Sequence, residues 1–240
     1  MNMKNSPISV AIDGPSGAGK SSLARKCASA FGFLYADTGA IYRTVGLAAY
    51  RKGVDRKDSA AIEKMLPSIS VSLRYNEEGE QRMFLDGEDV SEEIRKPEIS
   101  ICASDVSALP VVRNYLMQTQ RTLAEENNVI MDGRDIGTVV LPNADLKIFL
   151  TASPEARAQR RMKELQEKGI PCVFEDVLKD ILYRDEQDSS RAATPLRRAD
   201  DAVLVDTTEL NFDESFAAIS QLIIERFCLQ PDADNGVSPV

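Results

Sequence analysis

Eight consecutive residues, Gly14, Pro15, Ser16, Gly17, Ala18, Gly19, Lys20 and Ser21, match the pattern G-x-x-x-x-G-K-[ST]. Glycines in such a run let backbone N–H groups converge on phosphate oxygens. The N-terminus of the helix that follows adds its positive dipole end. Lys20 places a point charge on the outer phosphates. A hydroxyl from Ser21 or Ser22 can reach Mg²⁺ or a phosphate. The chemistry is that of a nucleoside triphosphate site. GTPases, motor ATPases and small-molecule kinases share it, but no N-K-x-D guanine-reading element is present. That shifts weight to a kinase.

A kinase also needs an acceptor pocket. Three groups mix arginine with acid or hydroxyl. Asp37-Thr38-Gly39 leads to Arg43, Asp132-Gly133-Arg134-Asp135 follows an apolar run, and Arg184, Asp188 and Arg191 stand at i, i+4 and i+7. If helical, the last three share one face. A solvated ion-pair face explains any single group. Three together, in a chain of net charge −9, are read as gathered cations for anionic ligands. Arg157, Arg160 and Arg161 add a basic stripe for which surface solvation is an equal reading.

Positioning these residues requires an α/β frame. Ile8–Asp13 is a short β-rich run, and helical spacing runs from Lys20 to Phe31 and stops at Gly32. A second strand is expected over Phe33–Ala36 and a helix over Gly39–Lys52. In an open parallel sheet, ligands sit at the C-terminal strand ends. That places Thr38, Arg43 and Arg134 near the glycine-rich loop. Residues 64–110 break the pattern: strands over Ile69–Tyr75 and Gln81–Leu85 flank a turn, and Ser91 is a candidate helix start. Pro110 opens a helix to about Glu126. Strands follow at Val129–Met131, Leu146–Leu150 and Ala202–Val205. Helices start at Ser153-Pro154 and Phe174, and Phe216, Ile219, Ile223 and Phe227 share a face of the last one.

Composition narrows the chemistry. The 240 residues include no histidine, which removes imidazole acid–base chemistry and most catalytic zinc sites. The acidic balance argues against general nucleic-acid binding. No apolar run approaches the ~20 residues of a membrane span. Met1–Ser6 has no apolar leader character, so a cytoplasmic protein is expected. Cys27, Cys102, Cys172 and Cys228 form no C-x-x-C pair and read as small buried hydrophobes. From the residues alone, other acceptors (UMP, AMP, a non-nucleotide) and a non-catalytic nucleotide switch stay open.

The segments IDGPSGAGKS, DTGAIYR, EDVSEEIR, DGRDIGTVV and RDEQDSSR resemble those of the bacterial cytidylate kinases. The resemblance covers nearly the whole chain. It implies a P-loop NTPase-type parallel sheet flanked by helices, with a mixed α+β NMP-binding insert and a helical lid. The implied core is 1–63 and 111–229, with the lid at about 154–172 and the loop after it. The insert is 64–110, and a disordered tail is expected at 230–240. By the same resemblance, Gly14 to Ser22 hold ATP, with Arg157 and Arg161 closing from the lid. Thr38, Arg43 and Arg134 bind the acceptor phosphate. Ser104, Arg113 and Asp135 read cytosine, and Asp188 holds the ribose. Arg184 and Arg191 flank the phosphates, and Lys20, Arg134, Arg184 and Arg191 form the catalytic set. Mg²⁺ is the implied cofactor, served by Ser21 or Ser22 and by Asp132. The implied ligands are ATP, CMP and dCMP, without nucleic acid or membrane, and a monomer is expected. The loop reads G-K-S-S where relatives often have G-K-G-T, and D-T-G replaces D-S-G. Both changes keep a hydroxyl in reach.

Overall fold

The computed structural model describes residues 6–191 and 194–231. Apart from Ser6, Gln230 and Pro231, the expectations for the N-terminus and the tail fall outside them. The chain forms two compact units. One comprises 1–34 and 127–240, the other 35–126.

In the first unit, β1 (Ser9–Asp13) runs into the glycine-rich loop and α1 (Lys20–Phe31). Gly32 adopts a left-handed conformation and ends α1 where the sequence places the stop. Leu23, Ala24, Cys27, Ala28 and Phe31 are the apolar face that α1 buries. The chain leaves through β2 (Leu34–Asp37).

The second unit opens with α2 (Thr38–Arg51) and α3 (Ser59–Met65). A three-stranded antiparallel sheet follows, β3 (Val71–Tyr75), β4 (Gln81–Leu85) and β5 (Glu88–Asp89). Then come α4 (Pro97–Ser107) and α5 (Pro110–Glu126). Its core joins Ile41, Val45 and Leu47 of α2 to Met83 and Leu85 of β4, Ile99, Cys102 and Val106 of α4, and Leu116 of α5. One continuous apolar cluster makes a unit wider than the expected 64–110 insert. Each such side chain contributes about 1.5–3 kcal/mol on full burial, so α2 and α5 fold with the hairpin. Gly46 lets α2 approach α4: a Cβ there would meet Ala103 N at 2.9 Å and Cys102 Cβ at 3.1 Å.

The helix expected from Ser91 does not form there. The Ser91 hydroxyl accepts from Met83 N (2.9 Å) and donates to Asp89 (2.6 Å). That leaves a short 3-10 turn over Glu93–Arg95. Pro97, with its fixed φ, starts α4 instead.

The first unit resumes with β6 (Val129–Gly133), a tight π turn over Ile136–Val140, β7 (Leu146–Thr151), α6 (Pro154–Glu167), α7 (Phe174–Ser189), β8 (Val203–Asp206) and α8 (Phe212–Phe227). The five-stranded sheet has the order β2-β6-β1-β7-β8. β1 pairs in parallel with β6 and β7, and β7 with β8. The middles of β1 and β6 are apolar and buried, as expected where helices cover a parallel sheet on both faces, while β8 is largely exposed. Val10, Ala11, Ile12, Val129, Ile130, Met131, Ile148 and Leu150 are essentially inaccessible. Ser153 caps α6 by accepting from Ala156 N. α8 starts with a capping box between Asn211 and Glu214 and buries Phe216, Ile219 and Ile223, while Phe227 is half-buried.

Of the cysteines, Cys27 and Cys102 are buried as expected. Cys172 is only half-buried and Cys228 is exposed, because Cys228 is the left-handed residue that ends α8. Among the described residues no helix is long and apolar enough to cross a membrane.

Candidate active site

The glycine-rich loop leaves the C-terminal end of β1. Gly14 has φ +151°, and a Cβ there would lie 1.9 Å from Leu150 O, so the loop passes β7 only because Gly14 has no side chain. Gly19 enters α1 in a left-handed conformation with no side-chain cap. The first N–H groups of α1 are therefore not spent on a capping side chain. Lys20 Nζ donates to Pro15 O (2.7 Å) and Arg157 Nη1 to Ser16 O (3.0 Å). A trans peptide whose carbonyl faces one way presents its N–H the other way. These two cations fix the Pro15 and Ser16 peptides of the loop.

Asp132 and Asp13 close the strands beside the loop, and both are buried. Ser21 Oγ donates to Asp132 Oδ2 at 2.9 Å. Among the described residues, no three acidic or cysteine side chains gather as a metal cage. One hydroxyl and one carboxylate fit Mg²⁺, which takes few protein oxygens and keeps waters and phosphate oxygens for the rest. Ser21, rather than Ser22, is the serine paired with Asp132.

Asp13 carries a structural role that the sequence reading missed. Its carboxylate accepts from Ile136 N (2.8 Å) and Gly137 N (2.7 Å). It thereby fixes the turn just after Arg134 and Asp135. Its position directly before the loop was the available signal. Burial pushes its pKa up to about 6, against the pull of those two N–H groups, with Asp135 adding repulsion and Lys20 attraction. The folded value exceeds the ordinary 3.8, so the native state holds the proton between the two. Stability from this group is fully present below the lower value and is lost as pH rises through the higher one. A ¹³C carboxyl titration should show one aspartate with a midpoint near 6 that vanishes in Asp13→Asn. A midpoint near 4 would refute this.

The arginine–aspartate groups of this unit converge. Asp188 Oδ2 accepts from Arg134 Nε at 2.7 Å, and its Oδ1 from Arg191 Nη2 at 2.5 Å. Arg191 lies just past the end of α7 and still reaches Asp188. Burial alone would raise Asp188, but Arg134 and Arg191 outweigh it and hold the carboxyl below its ordinary value. Lys20 is pushed far below the usual lysine range, first by burial and then by Arg134, although Asp132, Asp188 and Asp13 pull it back. Arg184 is exposed as a residue. Desolvation, then the like charge of Arg161, and further Arg134, hold it below the usual arginine range, against Asp180 and Asp188. Lys20 and Arg184, both held below their usual ranges beside Arg134, mark a place suited to a polyanion.

The basic stripe of α6 divides. Arg157 is buried, and its guanidinium is engaged by Ala152 O, Ser16 O and both oxygens of Asp185 (2.9 and 2.6 Å). Asp185, which the sequence reading passed over inside RDEQDSSR, is its counter-ion. Arg160 donates to Thr207 and to Leu210 O. Arg161 is half-buried and pairs with Glu164 one turn on. α6 and α7 share a small apolar cluster of Ala158, Val177 and Ile181.

Of the remaining candidates, all but Asp135 lie in the second unit. Thr38 is buried at the first turn of α2, which Asp37 caps by accepting from Ala40 N (2.9 Å). Asp37 also takes Arg43 Nη2 at 2.7 Å. Arg43 Nε is buried with no hydrogen-bond partner. Arg113 is buried, donates to Ser107 O (3.1 Å) and lies 5.6 Å from the centre of the Tyr42 ring. Ser104 is exposed on α4. Asp135, in the first unit, is buried. The expected acceptor set is thus carried by both units.

A family model for "Cytidylate kinase" matches residues 10–225. The curated cytidylate kinase of Caldicellulosiruptor bescii is 47% identical over 215 residues, covering 90% of this chain and 95% of that protein. The cytidylate kinase of Pelotomaculum thermopropionicum is 50% identical over 206 residues, covering 86% and 91%. That of an Exiguobacterium species is 48% identical over 223 residues, covering 93% and 99%. Identity of this level across almost the full length of each relative, on a phosphate loop flanked by gathered cations, shows that the chain belongs to the cytidylate kinase family.

Proposed function

We propose that the protein transfers the γ-phosphoryl group of ATP to CMP and dCMP, giving ADP with CDP or dCDP, in pyrimidine nucleotide metabolism. The observation that carries this reading is the crowding of cations behind the phosphate loop: Arg134 and Arg191 share Asp188, and burial followed by the charge of Arg134 holds Lys20 below the usual lysine range. A polyanion relieves that crowding. The nucleophile is an oxygen of the CMP phosphate, whose second pKa of about 6 leaves it mostly ionised at neutral pH. No general base is required, so a chain without histidine loses nothing.

The obstacle is repulsion between two polyanions. The N–H groups of the loop and Lys20 bind the ATP phosphates. Arg134, Arg184 and Arg191 stabilise charge on the transferred group, and a planar guanidinium binds phosphate bidentately. Mg²⁺ would be held at Ser21 Oγ with Asp132 nearby, and when bound it neutralises phosphate charge. Thr38 and Arg43 bind the acceptor phosphate. Asp135 accepts from the cytosine amino group, Arg113 and Ser104 donate to the ring acceptors, and Asp188 takes a ribose hydroxyl. Residues 64–110 with their flanking helices serve as the NMP-binding part. Residues from about 154 to 172 and the loop after them, with Arg157 and Arg161, serve as the lid that excludes water. A cytoplasmic monomer is the expected form.

ADP production from MgATP should be stimulated strongly by CMP and dCMP and weakly by UMP, AMP or GMP. Uracil presents a carbonyl where Asp135 needs a donor. Equal rates with UMP would remove the base-reading scheme but leave the kinase. No stimulation by any acceptor would return the reading to a nucleotide-binding switch.

A further inference from the structure

The second unit's hairpin reaches a segment that the proposed chemistry uses. Tyr75 and Gln81 are directly opposite in the β3–β4 register, so their side chains leave the same face of the hairpin. Both end on the backbone of residues 35–37. Tyr75 Oη donates to Tyr35 O at 2.7 Å. Gln81 Oε1 accepts from Asp37 N at 2.7 Å, and Gln81 Nε2 donates to Asp37 O at 3.2 Å. One carboxamide therefore satisfies both the N–H and the C=O of a single residue, as a neighbouring strand would. Only an amide has a donor and an acceptor in that arrangement at neutral pH.

Asp37 is the hinge of the contact. Its backbone is held by Gln81, while its carboxylate caps α2 through Ala40 N and takes Arg43 Nη2 at 2.7 Å. A Cβ at Gly39 would lie 3.0 Å from Asp37 Oδ1 and 3.1 Å from Arg43 Nη1. The carboxylate and guanidinium therefore lie close over Gly39, whose missing side chain makes room for the pair. Arg43 keeps its buried Nε–H without a partner, a donor that an anion would satisfy.

We propose that Gln81 is a positioning residue for the acceptor phosphate: its amide fixes the Asp37 peptide, and Asp37 in turn aims Arg43. This rests on the reading of Arg43 as a ligand of that phosphate. A hairpin that looks like bulk added to the fold is, at its Tyr75–Gln81 end, part of the phosphate grip. Binding of ATP, which uses the first unit's loop, does not depend on it.

The test is a double-mutant cycle of Gln81→Met and Arg43→Ala, read as KM for CMP and KM for ATP, with thermal melts to confirm folding. Methionine keeps the length of glutamine and removes both hydrogen bonds. Gln81→Met should raise KM for CMP about tenfold, the loss of one or two buried hydrogen bonds, and leave KM for ATP unchanged. In the Arg43→Ala background it should add almost nothing, because both changes act on the same contact. Tyr75→Phe removes only the second anchor and should give a smaller rise of the same kind. A wild-type KM for CMP in Gln81→Met, with Arg43→Ala impaired, would overturn the positioning role. So would full additivity of the two substitutions, which would mean that Gln81 acts on folding alone. A wild-type KM for CMP in Arg43→Ala would instead overturn the phosphate-ligand reading beneath it.

Discussion

Replacing Lys20 by methionine is expected to lower kcat/KM for MgATP and CMP about 1000-fold or more. The reason is in its surroundings. The ammonium is buried and donates to Pro15 O, so it both shapes the loop and charges it. Burial and Arg134 already hold it far below its ordinary pKa, and bound phosphates reverse that by supplying negative charge. The stabilisation is therefore greatest when the triphosphate is present and charge is moving. Methionine has a similar length and no charge, and the free protein should be as stable as wild type or more so, since an unfavourable buried cation is gone. Steady-state kinetics beside a thermal melt would separate the two effects. A fall in activity of less than tenfold would mean that Lys20 shapes the loop but does not meet the reacting phosphates.

Asp188→Ala is expected to cost both stability and turnover. Its carboxylate is the shared counter-ion of Arg134 and Arg191, with side-chain exposures of 8%, 29% and 11% in that order. Removing it leaves two guanidiniums facing one another across a site that water reaches poorly. Breaking one partner out of a buried pair costs about 3 kcal/mol, a fall of about 6–12 °C in Tm for a chain of this size. The pH dependence has a fixed sign. The folded carboxyl lies below its unfolded value, so its contribution is present above the unfolded value and is lost as pH falls through the folded one. The gap between wild type and variant should close in acid. Arg134, released from its anchor, should drift from the reacting phosphate, and a misplacement of about 1 Å costs about 100-fold in rate. The same variant tests the ribose contact: the preference between CMP and dCMP should narrow. Unchanged stability at neutral pH would show that Arg134 and Arg191 find other partners, and an unchanged ratio would remove the ribose role.

Much of the frame was legible because it is local. The phosphate loop needs glycines, a lysine and a hydroxyl at fixed spacing, and a strand before and a helix after it, all within 25 residues of chain. The strands β1, β6 and β7 were legible because a parallel sheet covered on both faces favours short apolar runs, even though β7 carries Lys147. Ser153-Pro154 and Gly32 announced helix ends by cap and by left-handed φ. The helix α4 was not legible. Its sequence, PEISICASDVS, is rich in serine and β-branched residues with little helix propensity, and what makes it a helix is the packing of Ile99, Cys102 and Val106 against α2.

The roles of individual charges were the part that sequence could not assign. Sequence alone determined that arginines and aspartates recur at strand ends and that no histidine is available. Only the tertiary structure decided which of them meet. Arg157 pairs with Asp185 and holds the Ser16 carbonyl of the loop, while Arg161, four residues on, pairs with Glu164 of its own helix. Asp13 turned out to hold the turn after Arg134 through two backbone N–H groups 123 and 124 residues away in sequence. The physical reason is one of range. Backbone propensity and phosphate-loop chemistry act over neighbouring residues, whereas the partner of a buried charge is set by whatever the folded chain brings within hydrogen-bond reach.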